Sequence, residues 1–265
     1  MSINVNSGDF LQAIENGLQN DEFKMYLQFI VDNQTKNLVF AEALSRWETA
    51  DNELILPGKY IGVMEESGLI TTLDYQMFEK VCQKLCEWAG TEFDHLAISC
   101  NFTRVTISES DFMKKITEIL DRYPFARHKL IIEITESFIE KNLEAAKCNL
   151  SAVKELGFTI ALDDIGSGCS SFRNLCDYPI DMVKLDRPAL LLTDTERGKK
   201  LFRGIISLAH SLDMKTVCEG VETEEQNAFV SSSGCDFVQG WYYSTALSAP
   251  KAEEFAHAYQ PADKR

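Results

Sequence analysis

The ends of the short apolar runs constrain this chain more than any other feature. Eight β-rich runs, at 24–31, 38–43, 96–101, 130–134, 158–163, 182–185, 216–218 and 237–239, are separated mostly by segments of helical periodicity. Nearly all of them finish on a polar side chain. LVFAE ends on Glu42, LAISCN on Asn101, KLIIE on Glu133, TIALDD on Asp163 and Asp164, KTVCE on Glu219 and DFVQ on Gln239, while Lys184 sits inside DMVKLD. Strands that alternate with helices imply parallel βαβ units. About eight of them in 265 residues favour a closed barrel over an open doubly wound sheet. The predicted fold class is α/β, a modified TIM-type (β/α)8 barrel. The modification lies early: only the polar DNQTKN separates the first two runs, which suits a hairpin and predicts one antiparallel strand.

Two helical faces stand out. Leu143, Ala146, Leu150 and Val153 share one face, and Gly157 follows where a C-cap glycine belongs. Leu201, Ile205, Leu208 and Leu212 are expected to form a second buried face. No linker, low-complexity tract or solenoid repeat interrupts the chain, so a single domain is expected over 1–265, with its barrel core at about 22–250.

In a parallel barrel the C-terminal strand ends converge at one mouth, where such folds build their sites. Glu42, Glu133, Asp163, Asp164 and Glu219 would then crowd together. Carboxylates gathered in a partly desolvated mouth repel one another and demand counter-charge, which divalent cations supply. The donors are all oxygen, including the amide of Asn101, with no histidine or thiolate among them, and this points to Mg2+ or Mn2+ rather than Zn2+. Neighbouring strand residues face opposite ways, so Asp163 and Asp164 can share a site only if the backbone turns, as Gly166 and Gly168 would permit. One aspartate bridging two metals while its neighbour holds the second suits hydrolysis of a phosphate diester.

Composition narrows the partners. A formal net charge of -15 and a pI near 4.7 argue against a nucleic-acid polymer or an anionic lipid surface. The start, MSINVNSGDFLQAIENG, lacks the basic and long apolar regions of a signal peptide, and no apolar run reaches transmembrane length, so a cytoplasmic location is expected. Eight cysteines scattered through apolar segments read as reduced thiols, mostly buried. The four histidines follow no ligand spacing.

These motifs also carry a likeness. Glu42-Ala43-Leu44-Ser45-Arg46-Trp47 resembles the signature of the EAL-domain family, bacterial cyclic di-GMP phosphodiesterases with a modified barrel. EITES at 133–137 resembles that family's ExTE segment, DDIGSG its DDFGTG loop, YPIDMVKLD its PxDxxKxD strand and CEGVET its EGVE turn. GCDFVQGWYYS resembles its late QG segment. The matching motifs run in family order from Gln28 to Ser244.

The resemblance implies that Glu42, Asn101, Glu133 and Asp163 hold one metal, and that Asp163, Asp164 and Glu219 hold the other. It places Glu42, Lys184 and Glu219 in the catalytic set, with Lys184 orienting or deprotonating a water activated by both metals. Gln28 and Arg46 would contact the ligand, Gln239 would order the catalytic face, and Glu136 would anchor the loop at 165–172. Cyclic di-GMP would be the substrate, linear pGpG the product and a homodimer the assembly. The chain departs from the family at Phe29, Gly62, Cys169 and Ala246, none of which is a metal ligand.

Other readings stay open at this level. A non-catalytic cyclic di-GMP receptor, or a protein-interaction module, would share the fold. A barrel lysine such as Lys184 could form a Schiff base if its amine were neutral, or it could pair with Asp186, two residues on, as a structural ion pair. Glu65 and Glu66 read as solvated surface.

Overall fold

The computed structural model of the chain describes residues 7–135, 144–165 and 172–261, with the backbone alone at 7, 164–165 and 172–174. The eight apolar runs all form strands, and two further short ones join them. In chain order these are β1 (Phe23–Asp32), β2 (Leu38–Glu48), β3 (Leu54–Ile55), β4 (Ala97–Asn101), β5 (Leu130–Thr135), β6 (Thr159–Ile165), β7 (Met182–Leu185), β8 (Lys215–Cys218), β9 (Phe237–Gln239) and β10 (Leu247–Ser248). From β2 through β4 and on to β9 every neighbouring pair is parallel. The strand β1 runs antiparallel to both β2 and β9 and closes the barrel of eight, as the hairpin spacing predicts. Two-residue β3 and β10 attach antiparallel to β2 and β1 outside that ring.

Helices wrap the barrel: α1 (Ser7–Gln19), α2 (Pro57–Ser67), α3 (Ile70–Trp88), α4 (Arg104–Ile107), α5 (Phe112–Leu120), α6 (Glu144–Glu155), α7 (Phe172–Asp177), α8 (Arg187–Leu191), α9 (Glu196–Ser211), α10 (Glu224–Ser232) and α11 (Ala249–Ala258). The main core lies between them and the outer faces of the strands, where Phe23, Phe29, Phe78, Phe112 and Phe158 are fully enclosed. Each such side chain contributes roughly 1.5–3 kcal/mol by leaving water. A smaller cluster of Ile30, Phe40, Ile131, Ala161, Met182 and Val217 fills the inside of the barrel, with Phe237 edge-on to Phe40.

Two expectations about helices meet different outcomes. In α6 the face of Ala146, Leu150 and Val153 is buried, and Gly157 adopts φ +92°, the left-handed conformation that suits glycine; Leu143 lies outside the described residues. In α9 the expected face is wrong. The structure buries Gly198, Phe202, Ile206 and Ala209, while Leu201 is 53% exposed and Leu212 37%. Gly198 sets this rotation, since a Cβ there would stand 1.7 Å from the Leu192 carbonyl oxygen, so only the glycine face can press inward.

Thiols behave as expected in part. Cys82, Cys100, Cys218 and Cys235 are buried and free, but Cys148 and Cys176 are exposed; Cys169 lies outside the described residues.

One buried acid ties α3 to the barrel mouth. On the inward face of α3, Asp74 accepts hydrogen bonds at Oδ2 from the Thr103 amide (2.9 Å), the Thr103 hydroxyl (2.7 Å) and the Thr106 hydroxyl (2.6 Å), fixing the turn that follows Asn101. Burial pushes its carboxyl up to about 6 against the pull of those donors. A carboxyl raised in the folded state stabilises the fold below its unfolded pKa, and that contribution is lost as pH rises through the folded value. A shift of this size corresponds to roughly 2–3 kcal/mol. Between about pH 4 and pH 7 the melting temperature of the native protein should therefore fall relative to that of Asp74→Asn, by on the order of 5 °C. Parallel melting curves for the two proteins across that window would contradict this.

Candidate active site at the barrel mouth

Side chains two apart on a strand share a face, and this places the polar residues directly above the barrel's apolar plug. Phe40 lies below Glu42, Ile131 below Glu133, Ala161 below Asp163, Met182 below Lys184, Val217 below Glu219 and Phe237 below Gln239. On β4 the pair is Ser99 and Asn101; on antiparallel β1 the order reverses, with Ile30 below Gln28. All eight barrel strands thus contribute one residue to a single polar layer. Glu42 does not end its strand as expected, because β2 continues to Glu48 and rises above the rim with β1.

Lys184 stands at the centre of this layer with none of its surface exposed. Its Nζ donates to Glu133 Oε2 at 2.7 Å, and Glu42 Oε2 and Asp163 Oδ2 lie at 3.4 and 3.6 Å. Glu219 Oε1 is 2.6 Å away, close enough for an ion pair although its angle does not make a directed hydrogen bond. The ion pair with Asp186 is absent. That carboxylate instead caps α8, accepting from the Ala189 amide at 3.0 Å.

Glu42 is held at both oxygens, by Asn101 Nδ2 at 3.0 Å and Gln239 Nε2 at 2.8 Å. Burial would raise its carboxyl, but Lys184, Gln239 and Asn101 together hold it below the usual range. Glu133 goes the other way. Burial pushes it up to about 8 against the attraction of Lys184, and Glu42 and Asp163 add repulsion. Glu219 is likewise driven well up by burial, with Asp163 and Glu42 reinforcing it. Burial would lower the Lys184 ammonium, yet Glu133, Glu219, Glu42 and Asp163 outweigh it and hold the group far above its ordinary range. An amine so protonated is a poor Schiff-base nucleophile.

The ladder between β6 and β7 shifts register between Leu162 and Ile165, so an extra residue is inserted at the two aspartates. Such a bulge breaks the strict alternation of facing and re-aims side chains. The break comes before Gly166, earlier than the glycine-permitted turn expected from sequence. Gly166, Gly168, the side chain of Asp164 and all of Glu136 lie outside the described residues.

One oxygen each from Glu42, Glu133 and Asp163 lie within 4.8 Å of one another, and buried Glu133 Oε1 has no hydrogen-bond partner. An all-oxygen set with an unused buried acceptor fits a hard divalent ion. Gln28 sits opposite Glu42 in the β1–β2 register and donates to the Ser244 carbonyl at 3.1 Å. Arg46 lies further up β2, its guanidinium 5.8 Å from the centre of the Tyr26 ring.

Beside Asn101 opens a cavity of about 690 Å3, lined among others by Leu44, Glu65, Glu66, Asp74, Arg104 and Thr135. Its size suits a small-molecule site. Glu65 and Glu66 are exposed as expected but face this cavity rather than open surface. Sequence reasoning missed Asp74 and Arg104. The signal for Asp74 was a lone acid on the apolar face that includes Leu73, Met77 and Phe78.

Residues 11–246 match the EAL domain. The chain belongs to the EAL-domain family. Among similar proteins, it is 31% identical over 244 residues to the signaling protein YkoW of Bacillus subtilis, covering 92% of this chain and 30% of the relative. It is 28% identical over 250 residues to the cyclic di-GMP phosphodiesterase NbdA of Pseudomonas aeruginosa, covering 94% and 32%. The chain thus spans about a third of the length of these relatives. The PaMucR phosphodiesterase, solved in complex with c-di-GMP, superposes with a TM-score of 0.86 at 26% identity, over 92% of this chain and 99% of that one.

Two glycines hold this EAL mouth together. Gly220, next to Glu219, has φ +69°, and a Cβ there would meet the Arg187 Cβ at 2.6 Å. A Cβ on Gly240, next to Gln239, would stand 2.1 Å from the Val221 carbonyl oxygen. Gly220→Ala should cost about 1–3 kcal/mol and lower the melting temperature by several degrees, read by calorimetry. Unchanged melting would show that the turn tolerates a side chain.

Proposed function

We propose that this EAL protein, as a single domain over 1–265, is a metal-dependent phosphodiesterase that hydrolyses cyclic di-GMP to linear pGpG. The observation that carries this reading is the convergence of Glu42, Glu133, Asp163 and Glu219 on one buried lysine, with an acceptor of Glu133 left unused. Membership of a family that includes named cyclic di-GMP phosphodiesterases supports the substrate.

Two divalent cations, Mg2+ or Mn2+, would activate water and neutralise phosphate charge when bound. Glu42, Asn101, Glu133 and Asp163 are the residues for one; Asp163, Asp164 and Glu219 are those for the other. Gln239 and Asn101 fix the orientation of Glu42 through the two hydrogen bonds described above. Lys184, protonated, orients the attacking water or donates to a phosphate oxygen rather than accepting a proton. Gln28, level with Glu42, and Arg46, further up the raised hairpin, contact the dinucleotide, and Glu136 anchors the loop at 165–172. The oxygen of water joins phosphorus as the bond from phosphorus to a ribose oxygen breaks, and that oxygen leaves with a proton.

The assembly we propose is a homodimer, supported by the apolar surface that Leu191, Leu192 and Leu201 expose around α8 and α9. Among the described residues no helix is long and apolar enough to cross a membrane; a cytoplasmic location is part of the proposal.

Incubation with cyclic di-GMP and Mg2+ or Mn2+, resolved by chromatography, should yield pGpG. Glu42→Gln and Asp163→Asn should each lower turnover by roughly 100-fold or more, because each removes a charge that no neighbour replaces. Their melting temperatures should stay within a few degrees of the native value. Ca2+ should support little turnover, its larger radius misplacing the water. Full activity in either variant would remove these acids from the mechanism, and tight binding without turnover under either metal would assign the chain to the receptor class.

A further inference from the structure

The ammonium of Lys184 faces four carboxylates but donates a directed hydrogen bond to Glu133 alone. Two carboxylate oxygens, from Glu219 and Glu133, approach Nζ at 2.6 and 2.7 Å, and two more, from Glu42 and Asp163, stand at 3.4 and 3.6 Å. These are the acids whose chemistry suits divalent cations. A carboxylate oxygen holding Mg2+ keeps it at about 2.1 Å. A second cationic centre cannot stay at hydrogen-bond distance from the same oxygens without strong repulsion in a water-poor pocket.

The lysine has nowhere outside to go. It is fully enclosed, so its charge cannot swing into water as an exposed lysine's would. It is also an incomplete substitute for a metal, because Glu133 Oε1 remains buried without a donor.

We propose that Lys184 is an internal counter-ion that competes with the divalent cations for Glu133 and Glu219, so that metal entry requires the ammonium to move off both. The inference rests on the metal-dependent reading above. It adds two consequences to that reading: the lysine lowers metal affinity, and metal loading is the event that frees the ammonium to face the substrate phosphate. A lysine that only positioned water would do neither.

Calorimetric titration of the full chain with MnCl2 separates these cases. Lys184→Met, of similar size and uncharged, should bind Mn2+ roughly ten-fold or more tightly than the native protein. Equal or weaker binding by the folded variant would overturn the competition while leaving the metal site standing. If neither protein binds Mn2+, the metal-dependent reading itself falls. Should Lys184→Met not fold without metal, the native protein carries the test. In protein labelled with 15N-lysine, the Lys184 ammonium resonance, assigned by its loss in Lys184→Arg, should shift saturably with Mg2+. A resonance unmoved at saturating Mg2+ would overturn the proposal.

Discussion

The contacts of the Lys184 ammonium govern the rest of the mouth. Taking an ammonium from water into a barrel costs several kcal/mol of hydration, and each enclosed carboxylate carries a similar penalty. Placed separately, these groups would be intolerable; with four carboxylates within 4 Å of the ammonium, its attraction offsets part of that cost. The balance is uneven, however. One positive charge faces Glu42, Glu133, Asp163 and Glu219, and the acids respond according to their other partners. Glu42, with amide donors at both oxygens, is held below the usual carboxylate range, whereas burial drives Glu133 and Glu219, with fewer donors, above it. On the proposed function, divalent cations would supply the positive charge that the ammonium alone does not.

The backbone makes this crowding possible by layering. Because strand side chains repeat every second residue, the apolar plug of Ile30, Phe40, Ile131, Ala161, Met182 and Val217 dictates that the next inward position on each strand belongs to the mouth. The plug excludes water from below, so the polar layer works in a medium of low polarity where its charges act strongly. Where alternation would send Asp163 and Asp164 apart, a bulge interrupts it. Where the turn after β8 must pass close to Arg187, and that after β9 close to Val221, glycine removes the obstructing Cβ.

Much of this was legible in the sequence because period-two patterning and strand ends are local signals. The alternation of strands and helices, the antiparallel β1 and the strand-end positions of Glu42, Asn101, Glu133, Asp163, Lys184, Glu219 and Gln239 are short-range patterns, and closure of the barrel brings those positions together. What escaped was set by distant contacts. The continuation of β2 to Glu48 depends on pairing with β1 and β3, and two-residue strands such as β10 have no pattern of their own. On α9 two apolar stripes compete, and the choice between them is made by the chain crossing Gly198. Asp74 looked like an interruption of an apolar face, while its partners Thr103 and Thr106 lie about thirty residues on.

Charge also orders events on the proposed function. Cyclic di-GMP brings two phosphate charges to a protein of net charge -15, toward a mouth already crowded with acids. In that condition the field at the mouth opposes the ligand, and a single enclosed ammonium cannot reverse it. Dications would be drawn by the same field, and two of them would add four positive charges where the carboxylates converge. Only then would the mouth attract a phosphate diester. On that proposal Arg46, further up the raised hairpin, would then meet the ligand's outer groups rather than compete with the acids below. On this reading, the acidity that argues against a nucleic-acid polymer would, at this mouth, gather the cations that a cyclic dinucleotide needs.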